Sequence, residues 1–140
     1  MRILGLDVGS KTIGVAVSDE MGWTAQGVTT LNLTSWDEAS KALHGFMEEY
    51  RVDTVVVGLP LHMSGEEGTQ ALAVRRFVDE WQKRYPITVP IIFWDERMST
   101  MAAERSLLEA DLSRDKRKKV INKMAAVFIL QGYLDSRGPS

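Results

Sequence analysis

The sequence predicts an α/β fold: a mixed sheet that opens with a three-stranded antiparallel meander, continues with parallel strands and carries helices on both faces. Two apolar runs, residues 2–8 and 12–18, are separated only by Gly9-Ser10-Lys11, a spacing that suits a tight hairpin with a positive-φ position. Thr54-Val55-Val56-Val57-Gly58 is a continuous β-branched run, the pattern of a strand buried on both faces. Helical patterns then alternate with strands, which implies crossover connections and parallel pairing in the second half.

The third strand is expected over Thr24 to Leu33, rich in Thr and Val, and antiparallel because the link from Ser18 is too short for a crossover. Ser35-Trp36-Asp37-Glu38 fits a capping box, so a helix should run from there to about Tyr50. The strand over 54–58 ends at Leu59-Pro60, a polar loop covers Leu61 to about Gly68, and a helix follows through Leu72, Arg76, Phe77, Glu80 and Trp81 until Pro86 stops it. Pro90 to Trp94 reads as another buried strand, terminated by Asp95-Glu96-Arg97. A helix from about Ser99 to Ala110 and a last one, capped by Ser113 and reaching about Ser136, complete the chain.

At 140 residues the chain is the size of one compact domain, expected over 1–140. It has no cysteine, which excludes thiolate metal sites and disulfides and suits a reducing compartment. No apolar run approaches the roughly 20 residues that span a bilayer, so a cytoplasmic protein with no membrane partner is expected. The formal net charge of −2 is unevenly spread: from Asp111 onward seven basic residues face three acidic ones, a local +4 against −6 elsewhere. Such a stripe, centred on Lys116, Arg117, Lys118 and Lys119, permits a polyanion to bind at one place, although an ordinary solvated helix start has the same composition.

Asp7 closes the first buried strand. A carboxylate there is costly without compensation, and a metal ion is the usual remedy. In open sheets ligands gather beyond the carboxyl ends of parallel strands, where Asp7, Gly58 and Asp95-Glu96 would meet if their strands are adjacent. Side chains alternate along a strand, so Asp95 and Glu96 point the same way only if the strand ends between them; Glu96 is the preferred ligand. Converging carboxylates without His or Cys are hard oxygen donors, suited to Mg²⁺ or Mn²⁺ and to phosphate chemistry. The same residues also fit a turn-capping Asp7 and a Glu96-Arg97 surface ion pair.

Four motifs give these residues a family. Gly5-Leu6-Asp7-Val8-Gly9 with Lys11 to Ala16, Val57-Gly58-Leu59-Pro60 with Gly65, Asp95 to Thr100, and Lys116 to Val120 with Lys123 to Ala126 and Leu130 to Leu134 span nearly the whole chain. In these the chain resembles the YqgF/RuvX family of RNase H-like proteins, described as pre-16S rRNA processing nucleases or Holliday junction resolvase-like enzymes. The resemblance implies an RNase H-like fold with the strand of Asp7 beside that of Gly58. It also implies a carboxylate set at Asp7, at Asp95-Glu96 and at position 122 of the last helix, where the family usually has Asp and this sequence has Asn122.

An amide keeps one oxygen ligand but removes a charge, so metal affinity should fall. Asp115 and Asp135 lie roughly 10 and 20 Å along the helix from position 122 and cannot stand in. Asn122 heads a stripe with Ala126, Ile129 and Tyr133 that places it on an apolar, inward face.

The expected activity is metal-dependent phosphodiester hydrolysis, with Asp7, Asp95, Glu96 and Asn122 as catalytic and metal-binding residues and one or two Mg²⁺ or Mn²⁺ ions as cofactor. Lys116 to Lys119, with Arg97 and Lys11, would hold backbone phosphates. The resemblance makes pre-rRNA the preferred substrate and branched DNA the alternative, for a monomer or homodimer. Two other readings stay open: nucleic-acid binding without catalysis, in which Asn122 records a lost activity, and a phosphate loop of the actin and sugar-kinase type at Asp7-Val8-Gly9 with Gly14. The latter needs two such domains around ATP, and this chain has room for one.

Overall fold

The computed structural model describes residues 2–98 and 114–137. Five strands, β1 (Arg2–Val8), β2 (Thr12–Ser18), β3 (Ala25–Asn32), β4 (Val52–Leu59) and β5 (Ile91–Asp95), form one sheet in the order β3-β2-β1-β4-β5. The first three pair antiparallel, and β4 joins β1 and β5 joins β4 in parallel. The expected mixed sheet is thus observed. Helices α1 (Trp36–Glu49) and α2 (Thr69–Arg84) cover one face, and α3 (Arg114–Arg137) covers the other. The expected helix over 99–110 and the cap at Ser113 lie outside the described residues.

Alternation along β1 explains the two layers. Leu4 and Leu6 point into a core with Leu43 of α1 and Phe77 and Trp81 of α2, all at most 2 % exposed. Each such side chain contributes about 1.5–3 kcal/mol of burial energy. Ile3 points the other way and packs with Val56, Ala126, Ile129 and Leu130 under α3. No helix among the described residues is long and apolar enough to cross a membrane.

Three local readings change. The hairpin between β1 and β2 uses no positive φ; Gly9 instead donates its N–H to the Thr12 carbonyl at 2.8 Å, and the left-handed glycines among the described residues are Gly22 and Gly65. The capping box at α1 is one-armed. Ser35 Oγ accepts from the Glu38 N–H at 3.0 Å, while the Glu38 carboxylate takes the Thr34 hydroxyl at 3.0 Å. The run ending at Trp94 forms the outermost strand β5, and each of its residues is half-buried, because a strand at the end of the sheet order has its second neighbour missing.

Helix α3 sits closest to the sheet at β2. A Cβ built on Gly14 would lie 1.9 Å from the backbone oxygen of Asn122, so only glycine lets the helix approach this near. Gln131 ties the same helix to the turn before β3, accepting from the Ala25 N–H at 2.9 Å and donating to the Trp23 carbonyl at 3.0 Å. Gly14→Ala must push helix and sheet apart and is expected to destabilise the protein by about 1–3 kcal/mol, read as a lower urea midpoint at unchanged slope.

Candidate active site

Asp7 stands in a row of the sheet that has been cleared around it. Its antiparallel partner on β2 is Gly14, and since Leu6 pairs with Val57, its parallel neighbour on β4 is Gly58. Asp7 is 9 % exposed and points to the α3 face, with a glycine on either side. The two gaps are filled by groups from remote elements. The backbone carbonyl of Asn122 on α3 fills the first, and the side-chain Nδ2 of the same residue donates to Thr12 Oγ1 at 2.6 Å. Glu96 fills the second: a Cβ on Gly58 would meet Glu96 Oε1 at 2.7 Å and Ile129 Cδ1 at 2.4 Å.

Neighbouring strands are about 4.8 Å apart, so the Glu96 carboxylate, seated over Gly58, shares one neighbourhood with Asp7. Both line a cleft of about 580 Å³ beyond the carboxyl ends of β1 and β4, and Asn122 lines it too. That is where an open sheet of this connectivity places its ligands.

Asp95 and Glu96 separate because β5 ends between them. Asp95 is the last strand residue, and Glu96 begins a 3₁₀ turn over Glu96–Met98. The turn swings Glu96 over Gly58, while Asp95 keeps to the face of Leu59 and is taken by Arg97. The guanidinium donates to both Asp95 oxygens, at 2.7 to 3.1 Å, and the Arg97 N–H adds a bond of 2.9 Å. These hydrogen bonds hold the Asp95 carboxyl below its ordinary pKa.

Arg97 also donates to the carbonyls of Met63 at 3.1 Å and His62 at 3.4 Å. With the Leu61–Glu67 bridge and the Arg75–Glu67 ion pair it fastens the loop that follows Pro60, a residue that lines the cleft. Lys11 is exposed on the hairpin beyond Asp7. Lys116, Arg117, Lys118 and Lys119 stand in the first turns of α3, and their side chains lie outside the described residues.

The structure therefore brings Asp7, Glu96 and Asn122 together and turns Asp95 aside. Among the described residues no three of His, Cys, Asp and Glu converge, and the residue that lines the cleft with Asp7 and Glu96 is the amide Asn122. Two carboxylates and an amide oxygen are a hard donor set, which fits Mg²⁺ or Mn²⁺ and not a soft metal.

A family model described as RuvX, Holliday junction resolvase, matches residues 1–136, from before Asp7 to beyond Asn122. The chain belongs to the RuvX family. This RuvX protein is 55 % identical over 139 residues to a Geobacillus protein named "Putative pre-16S rRNA nuclease", covering 98 % of this chain and 99 % of the relative. It is 53 % identical over 138 residues to a Bacillus subtilis protein of the same name, covering 97 % and 99 %. The RuvX chain also shares its fold with Thermus thermophilus RuvC solved in complex with a Holliday junction substrate, at TM-score 0.62 and 12 % identity over 100 % and 98 % of the two chains. The fowlpox virus Holliday junction resolvase aligns at TM-score 0.56 and 15 % identity over 97 % and 99 %. The fold is thus that of the RNase H-like resolvases.

The residues that make room in this RuvX site are not recognisable as gaps from the sequence. Gly14 and Gly58 were part of the family motifs, but their function as gaps flanking Asp7 depends on strand register, and Thr12 as the anchor of Asn122 depends on where α3 docks.

Proposed function

We propose that this protein is a cytoplasmic nuclease that hydrolyses a phosphodiester bond in structured RNA, at the 5′ end of pre-16S rRNA, through a single domain over 1–140. The observation that carries the reading is the row Gly14-Asp7-Gly58, into which Asn122 and Glu96 fold. Asp7 and Glu96, with the Asn122 amide oxygen, would hold Mg²⁺ or Mn²⁺. A divalent ion bound there supplies Lewis-acid stabilisation of charge on the phosphodiester and lowers the pKa of bound water.

The protein's own contribution is placement. Asp7 is fixed by a central strand with hydrogen-bonded neighbours on both sides, Glu96 by the turn that ends β5, and Asn122 by the Thr12 hydroxyl. Asp95 acts through Arg97 as a positioning residue that holds the loop following Pro60. Lys11 and the cluster Lys116 to Lys119 would take backbone phosphates on either side.

The names of the close relatives favour pre-rRNA. The description of the family as a Holliday junction resolvase, and the junction in the RuvC complex, favour branched DNA as the second reading. A labelled precursor-rRNA fragment and a four-way DNA junction, each incubated with Mg²⁺ or Mn²⁺ and with EDTA, separate the two. Metal-dependent cleavage of the RNA in preference to the junction supports the proposal. Binding to either without cleavage at any metal concentration overturns the enzyme in favour of a binding protein.

The two acidic neighbours should differ in kind. Glu96→Gln is expected to lower kcat about a hundredfold or more, since it removes a charge acting at the reacting group. Asp95→Asn leaves that charge in place but weakens the Arg97 hold on the loop, so cleavage should fall by about tenfold or less, and limited proteolysis should find 61–67 more readily cut.

A further inference from the structure

The same cleft has a second group of lining residues, from the helices α1 and α2. It comprises Trp36, the first residue of α1, with Arg76 and Phe77 of α2. Among the described residues lining the cleft, Arg76 is the one cation. Its guanidinium carbon lies 5.2 Å from the centre of the Trp36 ring, and the side chain is otherwise exposed.

Arg84 approaches the same ring at 5.8 Å, but its charge is met by Asp37 and by Glu80, the latter at 2.7 Å. Arg76 has no such partner: among the described residues it makes no ion pair or hydrogen bond, and the Trp36 ring is its one polar contact. Stacking on a ring orients a guanidinium without using its in-plane N–H donors. The side chain is therefore held in position while its fork of donors stays available.

A polyanion entering this cleft passes Asp7 and Glu96, and a cation lining the same cleft attracts its phosphates. We propose that Arg76, held against Trp36, is a binding residue for a backbone phosphate of the polynucleotide strand that crosses the cleft. The inference rests on the nuclease reading and names a contact within it. The ligand class is a phosphodiester backbone, read for position and not for sequence, because the contact reaches no base edge. A flat guanidinium offers a bidentate fork to two phosphate oxygens, and its ordering cost is already met by the ring.

The test is binding of a fluorescent structured RNA to the full chain in EDTA, where cleavage does not interfere, over a series of salt concentrations. Arg76→Gln is expected to weaken binding about tenfold and to flatten the slope of log affinity against log salt by about 0.7–0.9, the loss of one phosphate contact. Arg76→Lys should restore the slope but not the full affinity, since an ammonium keeps the charge without the fork. Trp36→Leu should keep the slope and weaken binding by a few-fold, because the charge remains while its orientation is lost. Lys83→Gln, the same loss of charge on an exposed part of α2, is the control. If Arg76→Gln changes affinity and slope no more than Lys83→Gln does, the inference is overturned and the nuclease reading stands. If the unaltered chain binds no RNA and no branched DNA at any salt, both fall. Thermal melting of Arg76→Lys alongside Arg76→Gln separates a lost contact from a lost fold: if the Gln variant misfolds, a folded Lys variant with the wild-type slope and reduced affinity supports the inference, and one with full affinity overturns the bidentate contact.

Discussion

Asp7→Asn should abolish cleavage while the protein stays folded, a fall of about a thousandfold or more, equivalent to roughly 4 kcal/mol of transition-state stabilisation. The substitution is isosteric, and the row that holds residue 7 has glycine on both sides, so no packing contact within the sheet is lost. What is lost is a full negative charge beside Glu96. The side chain keeps its size and its capacity for hydrogen bonding, so the variant should melt close to the wild type in EDTA. Mn²⁺ should raise the melting temperature of the wild type by mass action, and should raise that of Asp7→Asn much less. Cleavage at the wild-type rate by a folded Asp7→Asn protein would remove the enzyme assignment.

Asn122→Asp should act in the opposite direction. It replaces a neutral oxygen donor by a charged one at the third corner of the cleft, and activity is expected to rise about tenfold at limiting metal, with half-maximal Mg²⁺ lowered to match. The local structure can accept the change. The Asn122 amide donates to Thr12 Oγ1 at 2.6 Å, and a hydroxyl can reverse that bond by donating to a carboxylate. The cost falls on the metal-free protein, where three carboxylates share one cleft, so its melting temperature in EDTA should drop and recover on adding Mn²⁺. An unchanged rate and unchanged metal dependence in a folded Asn122→Asp protein would mean that position 122 contributes no ligand.

These two residues also show how far a linear reading reaches. Asp7 could be singled out because a charge closing an apolar strand is anomalous within a window of seven residues. Asn122 could be placed on the inward face of α3 because helical spacing aligns it with Ala126 and Ile129, which are both buried. The element order, the antiparallel opening and the parallel return follow from the same short-range patterns and from connection lengths.

Glu96 is a different case. Its separation from Asp95 is set by the backbone angles where β5 gives way to the 3₁₀ turn, and those depend on Arg97 reaching Asp95 and the carbonyls of His62 and Met63, about 35 residues earlier in the chain. Arg97 was expected to hold substrate phosphate, and a run of Asp-Glu-Arg contains nothing to say that it also fastens a loop. The partial burial of β5 likewise follows from its place at the end of the sheet order, which its apolar composition does not encode.

Periodicity, capping residues and strand-breaking glycines act over one or two turns of chain, so they specify the elements, their order and the presence of an anomalous acid at the mouth of β1. Which side chains meet that acid depends on strand register and on the docking of α3, and both are settled by contacts between residues up to 110 positions apart, as in the bond from Asn122 to Thr12. The row around Asp7 and the Trp36–Arg76 contact belong to that second kind of information, since neither exists until helices from both faces close on the sheet.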